Sequence, residues 1–330
     1  MFAGWLMLSA ALGLLIVSFL ETYLIMPWLI AALRKAKITL RDAHRRRLPR
    51  VPTMGGIGVF VGFAVTMTLS ALLGLDYRLL FAIFLSGTLA LVAGLIDDLF
   101  TLGKAEFILI TFFVSMPILA FHAGSSMVYL TPVGPADLGW LFWILVPFVF
   151  AFSMNGVNIY AGFNGLEAGL GVVASISLGA CAVVYGSWES VVCLFALGGA
   201  LLAFLRWNWY PAKVFVGNSG TLLIGAVLAS SIIVGSIKVV GVVVFIPYII
   251  NFVLRARNRF RSTVANVKIV KDGRLQNGKI TALWALFMRN SPVKETTVVS
   301  RCILIQIIFG IAAVVLAYYH ANFIIPYIPK

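Results

Sequence analysis

Residues 79–98 read LLFAIFLSGTLALVAGLIDD, an uncharged apolar run from Leu79 to Ile96 that ends in the adjacent carboxylates of Asp97 and Asp98. A run of that length is a transmembrane-helix candidate. An ionised side chain at membrane depth costs several kcal/mol on any scale, so it faces water, a partner or a metal. Two neighbouring carboxylates also repel unless a cation or a proton lies between them. The pair therefore marks either a helix end that has reached the cytoplasmic water layer or a site built at the membrane boundary.

The rest of the chain decides the class. Of its 330 residues, 62% are hydrophobic, 13% aromatic and only 11% charged, with a mean hydropathy of +1.04. No water-soluble domain of this size buries so much apolar surface, so a bilayer is the solvent. Windows of helical membrane-crossing length fall near 5–33, 54–75, 79–98, 105–122, 139–155, 166–186, 188–205, 219–236, 238–255 and 298–325. The expected fold is all-α: one polytopic transmembrane domain over 1–330 with about ten helices. The first span is too long for a signal-peptide core and lacks a basic start, which makes it a retained helix. Glu21 and Pro27 predict that it is interrupted or tilted.

Lysine and arginine orient the spans. Eight basic residues lie between Arg34 and Arg50 and ten between Arg255 and Lys294. Lys104, Arg206, Lys213 and Arg301 fall on the same side, against Arg78, Lys238 and Lys330 on the other. The split of 22 to 3 puts both termini outside and the basic loops in the cytoplasm. The net charge of +14 thus follows membrane topology and headgroup contacts, and no nucleic-acid module accompanies it. The arginines at 255, 257, 259 and 261 are denser than topology needs and suit an anion with several oxygens. Cys181, Cys193 and Cys302 lie within apolar spans without metal-ligand spacing.

This topology gathers polar motifs at one face, in loops near 34–53, 97–104, 155–166, 206–218 and 256–297. They are Asp42-Ala43-His44-Arg45, Pro52-Thr53-Met54-Gly55-Gly56, Asp97-Asp98 with Lys104, Asn155 to Gly169, Asn208-Trp209-Tyr210-Pro211, and Val214 to Thr221. Glycines let backbone approach a ligand and leave amides free for anions. Carboxylate and amide oxygens suit a hard cation such as Mg²⁺. Each motif alone is weak, but together they describe a site for a metal–nucleotide diphosphate at the water–lipid boundary.

The runs NGVNIYAGFNGLEAG (155–169) and NWYPAKVFVG (208–217) resemble those of the polyprenyl-phosphate N-acetylhexosamine-1-phosphate transferases. The similarity extends over nearly the whole chain and is nearest to the archaeal and eukaryotic branch, which uses UDP-GlcNAc and dolichyl phosphate. The short 256–297 loop leans to the archaeal side. The resemblance implies that a lipid phosphate attacks the sugar-bound phosphorus of UDP-GlcNAc, UMP leaves, and a lipid-diphosphate-sugar forms in the first membrane step of glycan assembly. It implies that Asp97 deprotonates or orients the lipid phosphate, and that Asp98 organises the metal and Lys104. It further assigns Asn158 and Asn218 to Mg²⁺ (or Mn²⁺), Asn164 and Phe215 to uridine, Glu167 to the substrate side, and Arg257 and Arg259 to the diphosphate. Membrane lipids and a second copy of the chain are the other expected partners. The membrane is the plasma membrane in an archaeon and the endoplasmic reticulum in a eukaryote.

Two departures from the family pattern stand out. Asn218 occupies a position where the family usually has a metal-binding Asp; and Arg257-Asn258-Arg259 stands where the family has Arg-His-Arg, with Thr53 where Glu is frequent. Asn218 is compatible with a tolerated variant, an inactivated paralogue or an engineered change. A multi-spanning lipid or solute transporter is the alternative of a different class.

Overall fold

The computed structural model describes residues 2–45, 47–130, 134–260, 267–270 and 272–323. Arg46, Arg261, Lys271 and Lys330, all counted above as topology signals, lie outside the described residues, as does the end of the 298–325 span. In chain order the helices are α1 (Phe2–Lys35), α2 (Gly56–Ser70), α3 (Tyr77–Phe100), α4 (Lys104–Phe113), α5 (Met116–Ala120), α6 (Trp140–Tyr160), α7 (Leu166–Tyr185), α8 (Trp188–Asn208), α9 (Gly217–Val234), α10 (Lys238–Arg257) and α11 (Glu295–Phe323). Three two-stranded antiparallel hairpins decorate them: β1 (Thr39–Arg41) with β2 (Arg50–Pro52), β3 (Met127–Leu130) with β4 (Gly134–Asp137), and β5 (Lys268–Ile269) with β6 (Leu275–Gln276). The chain is an all-α polytopic membrane protein.

Among the described residues nine helices are long and apolar enough to cross a membrane, not ten. The expected 105–122 helix is two short ones, α4 and α5. Pro117 cannot donate the N–H that would continue α4. Just before it, the Ser115 hydroxyl donates back to the Phe112 carbonyl at 2.7 Å. The pair still runs antiparallel to α3, because Phe121 past the end of α5 meets Phe81 near the start of α3 edge-on at 5.7 Å. Crossing parity, and with it the gathering of the basic loops at one end, survives.

Two further expectations change. Pro27 does not interrupt α1, which continues for 34 residues. The helix packs against α2 and α8, and such neighbours let a membrane helix tolerate a proline. The polar motifs also begin inside helices. Asp97 and Asp98 are on the last turn of α3, Asn155 and Asn158 on α6, and Asn208 and Arg257 close α8 and α10. Where water is scarce, helix is the cheapest way to satisfy backbone polar groups, so it extends through polar residues until a turn motif stops it.

The core centres on α8 and α9, the two most buried spans. α9 is wedged among α2, α3 and α6. Ser153 on α6 donates to the Gly225 carbonyl on α9 at 2.7 Å. On α3, a Cβ at Gly94 would overlap the Ser219 backbone. Glycine there brings the end of α3 against the start of α9 and so fixes where the α3 carboxylates sit.

Two outcomes test this architecture. Gly94→Ala should destabilise the protein by about 1–3 kcal/mol, the usual cost of overpacking, seen as a lower thermal midpoint in detergent. Gly278→Ala, with open space around it, should leave the midpoint unchanged. For orientation, a membrane-impermeant maleimide applied to intact cells should label Asp137→Cys and spare Lys279→Cys. The three native cysteines are buried and silent. Labelling of Lys279→Cys alone would reverse the topology.

Candidate active site

The loop ends of α3, α6 and α8 and the starts of α7 and α9 surround a cleft of about 320 Å³. Asp98, Asn158, Asn164, Glu167, Phe215 and Asn218 line it. Six of the ten expected site residues thus come together around one space.

Asp98 holds the start of α9. Its Oδ1 accepts from the Asn218 backbone N–H at 2.8 Å and its Oδ2 from that of Ser219 at 3.0 Å. These are first-turn amides with no partner inside the helix, and a carboxylate also complements the positive end of the helix dipole. Gly217, with φ +73°, makes the turn into α9, and a Cβ there would come within 2.6 Å of Asp98 Oδ2. Each Asp98 oxygen keeps a second lone pair and the side chain lines the cleft, so this anchoring is compatible with the expected role in organising a metal. Lys104 is exposed at the start of α4, outside the cleft lining, and is not ion-paired with Asp98.

Asp97 faces a different set. Its Oδ1 accepts from Leu102 N at 2.8 Å and its Oδ2 from the Asn218 side-chain amide at 2.5 Å. Asn218 Oδ1 in turn accepts from Asn158 Nδ2 at 2.6 Å, and the same Nδ2 reaches Thr221 Oγ1 at 2.9 Å. Asn158, Asn218 and Asp97 form a chain of two neutral amides ending on one carboxylate. No group of three His, Cys, Asp or Glu residues suited to a metal exists among the described residues. Mg²⁺ is commonly held by one or two carboxylates together with substrate phosphates. Asp97 with the amide oxygens of Asn158 and Asn218 fits a cation that brings phosphate oxygens with it, once the Asn158–Asn218 bond opens.

The opposite wall is the turn 161–165 between α6 and α7. Gly162, with φ +144°, donates its N–H to Glu167 Oε1 at 2.9 Å. Gly165 donates to Asn208 Oδ1 at 3.1 Å, and Asn208 Nδ2 reaches the Val214 carbonyl at 2.9 Å. Asn208 therefore ties this turn to the irregular segment before α9, a role its sequence motif did not reveal. Asn164 is held by Glu295 through its backbone and by Asp42 through its side chain. Phe215 is pinned by its main chain, donating to Pro52 O at 2.8 Å and accepting from Gly55 N at 2.9 Å, while its half-buried ring borders the cleft. His44 stacks on Phe163 at 4.5 Å and 13°. Burial lowers its pKa to about 4 against the pull of Asp42, so it is neutral near neutral pH.

Arg257 and Arg259 are exposed where α10 ends and do not line the cleft. Arg261 lies outside the described residues.

A model of glycosyl transferase family 4 matches residues 80–236. A protein of Sulfolobus acidocaldarius is 32% identical over 323 residues, covering 94% of this chain and 98% of that one. One of Saccharolobus solfataricus is 30% identical over 308 residues, covering 92% and 95%. Both are provisionally named UDP-N-acetylglucosamine–dolichyl-phosphate N-acetylglucosaminephosphotransferases. A phospho-N-acetylmuramoyl-pentapeptide-transferase of Oceanobacillus iheyensis is 30% identical over 77% of this chain and 87% of its own. With relatives this similar covering it almost end to end, the chain belongs to glycosyl transferase family 4.

Proposed function

We propose that this protein transfers N-acetylglucosamine-1-phosphate from UDP-GlcNAc to a polyprenyl or dolichyl phosphate, releasing UMP. The observation that carries the proposal is the cleft itself. Its lining offers an aromatic ring and an amide, Phe215 and Asn164, suited to a nucleobase, and the carboxylate of Asp98 with the amides of Asn158 and Asn218, suited to phosphates and a cation; Asp97, outside the lining, bonds the Asn218 side chain from behind. All of it sits at the helix ends on the basic side. The archaeal relatives favour the cell membrane as its location. An apolar hollow of about 450 Å³ between α6, α9 and α10, lined by Phe142, Val146, Phe152, Val242 and Phe245 among others, suits an isoprenoid chain.

The chemistry balances simply. An oxygen of the lipid phosphate attacks the sugar-bound phosphorus, the bridging P–O bond to UMP breaks, and UMP leaves with the electron pair. Phosphoryl transfer asks for in-line placement and charge neutralisation more than covalent help. A phosphate monoester has its second pKa at about 6, so the nucleophile is largely ionised near neutral pH and Asp97 acts by placing it. Asp97, Asn158 and Asn218 would hold a divalent cation, which would supply neutralisation of the diphosphate. Phe215 and Asn164 fix the uridine, and Asp98 keeps the α9 amides and Asn218 in register with Asp97.

Three outcomes test these assignments. Asp97→Asn should abolish turnover while UMP binding stays within about threefold, because lipid phosphate and uridine occupy different walls; full activity would remove Asp97 from the reaction. If Arg259, exposed and outside the cleft lining, reaches the diphosphate as the resemblance implies, Arg259→Ala should raise the KM for UDP-GlcNAc by about tenfold or more, the range for a charge-assisted contact. An unchanged KM would leave Arg259 a topology residue, consistent with its place outside the cleft lining. Asn218→Asp should lower the Mg²⁺ concentration for half-maximal activity, since a carboxylate beside a divalent ion binds it more strongly than an amide. An inactive wild type with an active Asn218→Asp variant would identify Asn218 as an inactivating change, and identical Mg²⁺ dependence would place residue 218 away from the metal.

A further inference from the structure

The uridine-side turn rests on an element far from it in sequence. The backbone N–H of Asn164 donates to Glu295 Oε1 at 2.7 Å across 131 residues, and its side-chain amide donates to Asp42 Oδ2 at 3.2 Å. Glu295 is the first residue of α11 and is buried. Its second oxygen, Oε2, has no hydrogen-bond partner among the described residues, and Asn164 is the group that its first oxygen holds.

The connection between α10 and α11 reinforces this contact. The 3-10 helix Leu283–Met288 carries Trp284, fully buried, whose ring meets Phe163 of the turn edge-on at 4.9 Å. That 3-10 helix is itself anchored. Leu283 donates its N–H to Asn251 Oδ1 of α10 at 3.0 Å, and Asn277 donates to the Met288 carbonyl at 3.1 Å. Leu275 and Val293 exchange two backbone bonds, at 2.7 and 2.9 Å, immediately before α11. Phe163 is thus clasped between Trp284 and His44, and Asn164 between Glu295 and Asp42.

We propose that Glu295 is a positioning residue for nucleotide binding: it holds the Asn164 backbone so that the Asn164 side chain keeps the orientation the nucleotide meets, with the 275–293 segment as its support. The inference rests on the proposed function and extends it to residues outside the cleft. The physical reason is asymmetric cost. The turn is flanked by positive-φ glycines at 162 and 165, which leave its backbone free to reorient. Removing the acceptor leaves a buried N–H unsatisfied, and the turn then relaxes away from the binding geometry.

Glu295→Gln keeps an acceptor oxygen in place, Glu295→Asp withdraws it by one methylene, and Glu295→Ala removes it. In purified protein the KM for UDP-GlcNAc should rise by about tenfold or more in Glu295→Ala and by less in Glu295→Asp, with kcat and the KM for polyprenyl phosphate within about threefold of wild type. Glu295→Gln should restore the KM to within about threefold. A purely structural role would instead reduce the amount of active enzyme, lowering apparent kcat with an unchanged KM, and that result would overturn the proposal. Should Glu295→Ala fail to fold, the Asp and Gln variants decide the matter by the same comparison. Calorimetric titration of all four proteins with UMP gives a readout independent of turnover. A Kd series parallel to the KM series supports the proposal even if the wild type turns nothing over, in which case only the proposed transfer falls. Equal Kd values across the series would overturn the positioning role and leave the proposed transfer standing.

Discussion

The carboxylate of Asp98 bonded to the first amides of α9 is the contact on which the site depends. It joins the end of one apolar helix to the start of another at the depth where neither could leave polar groups bare. A bilayer offers little hydrophobic force between helices, so close packing of small residues and buried polar bonds must hold them. The Gly94 approach to Ser219 supplies the first and Asp98 the second. Once α3 and α9 are locked, Asp97 falls beside Asn218, and α6 brings Asn158 to the same point. The two adjacent carboxylates that looked alike in the sequence therefore do different work. Asp98 anchors the backbone of α9, and Asp97 meets the side-chain amide of Asn218.

That division shapes the electrostatics of the cleft. With Asp98 bonded to helix amides, the α3 end of the cleft adds two neutral amides, Asn158 and Asn218, in a chain that ends on Asp97. Such a site repels an incoming diphosphate less than a cluster of acids would, and it relies on phosphate oxygens to complete a cation's shell. The uridine end is built differently. It is rigid through the main chain of Phe215, the Asn208 bridge, and the paired carboxylates on Asn164.

Much of this was legible from residues alone. Apolar runs of membrane length, their basic flanks and the glycine-rich motifs predict a polytopic helical bundle with polar groups at one face. Asn158, Asn164, Phe215 and Asn218 do converge there. What stayed hidden has physical reasons. The break at Ser115–Pro117 lies in a window whose hydropathy is continuous, so composition hides it. The anchoring role of Asp98 was hidden because its donors are backbone amides, which carry no sequence signal. Glu295 lies far along the chain from Asn164 and beside no motif, so only packing reveals it. Asn208 was visible as part of a motif, but its bridging role depends on a turn geometry that no local pattern encodes.

The central claim is that a phosphorus–oxygen bond is broken and not the bond between sugar and phosphate. UDP-GlcNAc carrying a radioactive label only in the sugar-bound phosphate, incubated with the purified protein, polyprenyl phosphate and Mg²⁺, tests it directly. The account predicts that the label passes into the lipid fraction as UMP appears in equal amount. Label remaining in water as UDP, with unlabelled sugar on the lipid, would contradict it.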